Sequence, residues 1–233
     1  MQLKHIYHWR SRFYITALIG LPLVLFMVFT LFAESSHASI PNHPEAATSQ
    51  SITVSEISQQ LDKSPVLRGQ FVQEKQFTIM TRPLVSKGNF VLARTLGIWM
   101  HNDTPIPSDL VLTDAGILQI NASGERETID ASQQPAVKLM TKMIRQLVAG
   151  DWEQLSLHFD ISASQIKSEW RAHLAPKPNS LFAAHAQSIE VHGTEFVSTI
   201  VIIENSGDET RIHFDQITSD RELSAEENDT FHW

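Results

Sequence analysis

Two long stretches, residues 67–77 and 84–93, set apolar and polar residues side by side in the manner of strands with one wet face. Gln70, Gln73, Glu74 and Lys75 surround Phe71 and Val72, and Gly88 interrupts the second stretch. Shorter strand signals follow at 98–101, 109–113 and 117–121, with Asp114-Ala115-Gly116 as a turn, and a weaker one at 126–130. Residues 136–149 change period: Val137, Met140, Ile144, Leu147 and Val148 recur at helical spacing, and Leu139 and Met143 widen the stripe. Pro135 suits the first turn of that helix and Gly150 its C-terminal cap. Asp151 is placed to cap a short helix bearing Trp152 and Leu155. Strand signals resume at 159–163 and 169–175; residues 180–186 read as a short helix or loop; 188–193, 196–204 and 210–218 then form a meander. Asn205-Ser206-Gly207-Asp208 makes the last hairpin turn. Upstream, Thr53-Val54-Ser55-Glu56 is a capping box that opens a helix over 54–63, with Val54, Ile57 and Leu61 on one face and Pro65 beyond its end.

This pattern predicts an α+β chain, mainly β, with about ten or eleven antiparallel strands and one apolar helix inserted mid-sheet. A sheet of that size must curl or close, and one that curls only partly needs a cover on its concave face. The helices at 54–63 and 136–149 are the available covers.

Composition narrows the picture. The chain has 233 residues, 42% of them apolar, enough for one domain with a full core. A net charge of −8 gives nucleic-acid binding no electrostatic support. The absence of cysteine excludes disulfides, thiolate metal sites and thiol chemistry. At the N-terminus, Lys4, Arg10 and Arg12 precede an uncharged run over 13–33, and Ser36-His37-Ala38 offers small residues for cleavage. Residues 1–38 therefore read as a signal peptide, cut after Ala38. The run is about as long as a bilayer is thick, so an uncleaved membrane anchor competes with that reading. In both cases the rest of the chain is exported. Residues 39–51 read as a linker and 52–233 as the folded domain.

The chemistry expected of an enzyme is missing. HExxH, GxSxG, P-loop and GxGxxG patterns do not occur. His173, His192 and His213 sit on predicted strands at no recurring ligand spacing, and Asp151, Asp160 and Glu169 form no carboxylate pair. Ser180 or Ser188 near His185 is the one place with the composition of a nucleophile and a base. No catalytic residue, metal site or cofactor is expected. The helix bearing Met140 and Met143 reads either as core or as an adaptable apolar surface, which Trp99, Met100, Leu110 and Leu112 would continue.

The segments "LRGQFVQEKQF", "PLVSKGNFVLAR", "GIWMHNDTPIPSDLVLTDAGILQI", "RQLVAGDWEQLSLHFDI" and "ENSGDETRIHF", in that order and spacing, resemble the periplasmic outer-membrane lipoprotein carrier family, LolA, and within it the LolA-related branch. The likeness runs over residues 52–214. It implies an incomplete antiparallel β-barrel with helices forming a lid over an apolar cavity. It implies a periplasmic carrier, acting as a monomer, that binds acyl chains of lipoproteins or of another acylated lipid and takes them from the inner towards the outer membrane. The residues assigned to acyl-chain binding are Phe71, Phe90, Trp99, Met100, Leu110 and Leu112 on strands, with Met140, Met143, Ile144 and Leu147 on the helix. The implied partners are the acylated cargo, an inner-membrane release transporter and an outer-membrane acceptor. In one respect the chain departs from the pattern. The family places an arginine just before the tryptophan of its third strand, where it helps to latch the lid; here Ile98 precedes Trp99. Two other readings compete: an envelope assembly factor anchored by residues 13–33, and a lipid hydrolase using the Ser180 or Ser188 cluster.

Overall fold

The computed structural model describes residues 50–233, apart from the side chains of Pro135, Ala136, Met140, Val148 and Ala149. The signal-peptide or anchor reading and most of the linker lie outside the described residues. Alternating apolar and polar positions produce twelve strands: β1 (Gln50–Ser51), β2 (Val66–Gln76), β3 (Leu84–Ala93), β4 (Gly97–Thr104), β5 (Ser108–Thr113), β6 (Gly116–Ile120), β7 (Arg126–Asp130), β8 (Phe159–Ile166), β9 (Glu169–Pro176), β10 (Ala186–Gly193), β11 (Val197–Glu204) and β12 (Glu209–Asp220). They form one antiparallel sheet in the order β1-β8-β9-β10-β11-β12-β2-β3-β4-β5-β6-β7. β1 and β7 stand at opposite edges and do not pair, so the sheet curls without closing. The strand signals expected from the sequence all form, and the additional strand is β1. Its two residues, read as the end of the linker, pair with Gln165 and Ser164 of β8.

Register fixes which side chains face inward. Phe71 pairs with Phe214 on one side and Gly88 on the other; Phe90 pairs with Met100, and Met100 with Leu110. Directly opposed residues share a face, so these side chains converge on the concave side. Gly88 is where β4 comes closest: a Cβ there would lie 1.8 Å from the His101 carbonyl oxygen. The interruption in the second long stretch is thus a packing requirement of the β3–β4 pair.

Helix α1 (Val54–Gln60) starts at the expected capping box, with Glu56 N–H donating to Thr53 Oγ1 and the Thr53 N–H donating to Glu56. It ends at Leu61, earlier than the predicted Lys63, because Leu61 turns extended. Helix α2 (Pro135–Ala149) carries proline in its first turn and ends on Gly150 at φ 75°, a left-handed conformation that only glycine adopts without strain. Asp151 does not cap the next element: a single 3-10 turn over Gln154–Leu157 follows Glu153 instead. A third helix, α3 (Ala225–Phe231), was absent from the sequence reading. It opens on a second capping box, Ser224 with Glu227, and lies against the convex face.

Candidate functional site: the covered concave face

The concave face is the centre of one large apolar cluster, to which α1 contributes Ile57 and Leu61 and α2 contributes Val137, Met143 and Leu147. Nine of the ten residues assigned to acyl-chain binding have described side chains; Met140 does not. Phe71, Phe90, Met100, Leu110, Leu112, Met143 and Leu147 are buried members of this cluster, and Ile144 packs against it half-buried.

Trp99 faces the other way. Strand β4 alternates, so Ile98, Met100 and Asn102 point inward while Trp99 points outward. There it packs with Val91, Val111, Leu118 and Phe231 beneath α3, and its indole N–H donates to Asp109 at 2.8 Å. Assigning both Trp99 and Met100 to one surface conflicts with the period of a strand.

The interior is filled by its own side chains. Phe90 meets Phe214 edge-on with ring centres 5.0 Å apart. Trp152, fully buried, meets Trp170 edge-on at 5.2 Å, and both indoles are satisfied by carbonyls, of Leu147 and Thr194 respectively. With Ile98 in the place where the family pattern has arginine, the interior is nonetheless closely packed. Two clefts lie to the side of this packed centre. One, of about 370 Å³, lies between the ends of α1 and α2, lined by Ser58, Lys63, Arg94, Gly150, Asp151 and Glu153. The other, of about 300 Å³, sits over Gly69 and Phe90, where the β2–β12 ladder skips residues between Asp215 and Thr218.

A polar band edges the apolar interior at the end where β2 finishes and β3 begins, the upper end. Gln73, Asn102, Ser108, Gln119 and Thr210 are buried there, with Asn102 donating to Ser108 at 3.0 Å. Lys75, 2% exposed, is paired with Glu204, donates to Thr210 at 3.3 Å and lies over the Phe77 ring. The buried cation thus ties the ends of three neighbouring strands, β11, β12 and β2, to one another.

The lid has its own fastenings. Ile98 is buried in the core and makes no polar tie, but Arg94, in the β3–β4 turn, donates to the carbonyls of Ser64, at 2.8 Å, and Asp62, just past the end of α1. Burial draws its guanidinium below the usual arginine range, with the Asp62 charge opposing. Ser58 of α1 donates to the Gly150 carbonyl at 3.1 Å, and Arg145 of α2 pairs with Asp114 at 3.0 Å. Sequence reasoning looked for an arginine beside Trp99 and missed Arg94. The signal was present as the one cation in the turn that faces Pro65 and the end of α1.

No group of acidic and histidine side chains suited to a metal ion occurs among the described residues. Ser180 Oγ is buried without a hydrogen-bond partner, so no base contacts it. His192 is held below its usual range by burial and by Arg171, which keeps it neutral between Glu169 and Glu190.

A curled antiparallel sheet whose apolar concavity is roofed by two helices defines a binding fold of the lipoprotein-carrier type. The family model described as "Outer membrane lipoprotein carrier protein LolA" matches residues 62–229, and the chain belongs to that family. No curated protein sequence matches it. Among solved structures, it is similar to the LolA superfamily protein NE2245 from Nitrosomonas europaea, with 7% identity over 74% of this chain and 94% of that one and a TM-score of 0.43. It is similar to a putative outer membrane lipoprotein-sorting protein domain from Vibrio parahaemolyticus, with 8% identity over 76% and 96% of the chains and a TM-score of 0.40. It is also similar to the Pseudomonas aeruginosa MucA/MucB complex structure, with 14% identity over 75% and 58% of the chains and a TM-score of 0.43.

Proposed function

We propose that the protein is a periplasmic carrier that holds acyl chains of lipoproteins, or of another acylated lipid, between its concave sheet and the α1–α2 lid, and moves them from the inner towards the outer membrane. The observation that carries this reading is the roofed apolar concavity. Its sheet residues Phe71, Phe90, Met100, Leu110 and Leu112 belong to one apolar cluster with Met143 and Leu147 of α2, and Ile144 packs against it. An acyl chain that enters exchanges these contacts for its own, and each methylene transferred from water is worth about 0.8 kcal/mol. The lid joins the sheet through apolar packing and a few polar ties, so it can part from the sheet without breaking the strand ladder. Among the described residues the buried Ser180 hydroxyl has no base against it, which favours transfer over hydrolysis. The carrier meets the acylated cargo at an inner-membrane release transporter and delivers it to an outer-membrane acceptor.

Mass spectrometry of lipid that co-purifies with the exported protein tests the reading, with displacement of a fluorescent acyl probe by an acylated peptide as the binding assay. Ile144→Asp, at a half-buried position facing the sheet, should weaken probe binding at least tenfold while thermal melting stays cooperative. A folded variant with unchanged binding, and no acylated species recovered with the parent protein, would remove the α2 face from the site and the carrier function with it.

A further inference from the structure

The large apolar side chains that remain exposed among the described residues all lie at the upper end of the sheet. Ile79 and Met80 stand in the β2–β3 connection, and Leu84 and Val85 open β3 beside it. Ile106 stands in the β4–β5 connection, Leu157 just before β8, and Leu181 between β9 and β10. Antiparallel register puts these connections at one end: Lys75 pairs with Leu84, Asn102 with Ser108, Phe159 with Pro176 and Ala186 with Glu204. They are ordered as an arc around the rim, and Asp208 of the β11–β12 turn ties two of them by accepting from the Thr78 N–H at 2.8 Å. At the lower end, by contrast, the connections expose no large apolar side chain.

Charge along this arc opposes that of the molecule. The chain carries −8. Residues 77–85, 105–107, 157–158 and 177–185 contain no carboxylate and hold Arg82 and Lys177, with His158 and His185. Arg82 is exposed and in no ion pair among the described residues. Carboxylates border the arc at Glu204, paired with Lys75, at Asp208, which accepts from Thr78, at Asp103, 3.5 Å from His101, and at Asp160, 4.0 Å from Lys177, so Arg82 is the cation of these connections that lies outside any ion pair among the described residues. Exposed apolar tips on separate loops, with Ile79 91% exposed, are suited to entering a deformable surface and would leave gaps against a rigid protein face.

We propose that the upper rim docks on an anionic lipid bilayer, with Ile79 and Leu181 entering the boundary between headgroups and acyl chains while Arg82 and Lys177 meet lipid phosphates. Docking there presents the end of the concave face to the membrane, and it is independent of whether the interior binds acyl chains.

The chain has no cysteine, so single substitutions carry a unique label. An environment-sensitive dye is placed at Ile79→Cys, at Leu181→Cys and, as a lower-end control, at Glu195→Cys in the β10–β11 turn, each in the full chain as exported. With phosphatidylglycerol-containing vesicles the first two should shift to the blue and the third should not. The shift should weaken with added salt and with purely zwitterionic vesicles. The double variant Ile79→Asp, Leu181→Asp should bind such vesicles at least tenfold more weakly, at unchanged melting temperature and unchanged acyl-probe affinity. An equal response at position 195, or unchanged vesicle binding by the double variant, would overturn the proposal. Silence at all three sites would overturn it too and leave the rim to a protein partner. Loss of acyl-probe binding in the parent protein with the rim response intact would count against the carrier reading alone.

Discussion

The molecule covers apolar sheet surface twice, and the two covers are fastened differently. On the concave side, α1 and α2 lie over a cluster that includes Trp152, Trp170, Phe71 and Phe90, and their polar ties include Arg94, Ser58, Gln60 with Gln165, and the Arg145–Asp114 pair. On the convex side, the seven-residue α3 lies over a small cluster of Ala93, Val111, Leu118 and Phe231. There Arg68 grips Glu227 with two hydrogen bonds of 2.6 Å, reaches Asp220 at 3.1 Å and donates to the Glu222 carbonyl at 3.0 Å. The large cover is held by area and the small one by a bidentate ion pair. A short isolated helix has little stability of its own, so α3 needs the charged anchor that α2 can do without. Area-based adhesion also suits a lid, because an apolar guest can replace the contacts that it displaces, whereas a fork of charged hydrogen bonds has no such substitute.

Removing area from the large cover should have the largest effect. Trp152 is fully buried, packs on Trp170 and hydrogen-bonds the Leu147 carbonyl. Trp152→Ala should cost about 3–5 kcal/mol, read as a lowered denaturation midpoint for the whole domain. A loss below about 1 kcal/mol would mean that α2 is not held by packing.

The two arginines should separate more subtly. Arg68→Ala leaves the Glu227 carboxylate, 12% exposed, without its partner and should cost roughly 1.5–3 kcal/mol, with faster hydrogen exchange confined to residues 225–231. Arg94→Ala removes two donated hydrogen bonds from carbonyls at the end of α1 and should cost about 1–2 kcal/mol. It should speed acyl-probe entry while leaving α3 undisturbed. Equal effects of both variants on probe entry would erase the distinction between lid and clasp.

Much of this arrangement could be read from the chain. The capping box at Thr53, the Asn205-Ser206-Gly207-Asp208 turn and the meander that follows Ser188 are local signals, and local geometry obeyed them. The inward set also followed from alternation wherever one face was wet, as at Ile212 and Phe214. Strand β4 resisted because α3 covers its outer face: both Trp99 and Met100 are sheltered, and a strand sheltered on both sides reads as a continuous apolar run with no preferred face. The Ser224–Glu227 capping box was legible, but the segment after it, Ala-Glu-Glu-Asn-Asp-Thr-Phe, carries too few apolar residues to announce a packed helix. Its partner Arg68 is 159 positions away, a separation at which sequence patterns are silent.

Acid titration of the clasp should give the smallest effect and still tell the two covers apart. Hydrogen bonding to Arg68 holds Glu227 below its usual range, against the opposing pull of burial, and its capping contacts with Ser224 add to this. The same contact raises Arg68, which stays charged throughout. A carboxylate with a depressed folded value contributes stability that is present above its unfolded pKa, about 4.3 for glutamate, and is lost as pH falls through the folded value. Above the ordinary glutamate range α3 should therefore be fully seated. Below it, the indole N–H signals of Trp99 and Trp233, both in the convex cluster, should move towards solvent-like positions while those of Trp152 and Trp170 hold. Glu227→Gln should flatten the profile at the two convex indoles, because the titrating partner is gone. A titration of all four indoles together would mean that acid opens the whole domain, with no separate release of the clasp.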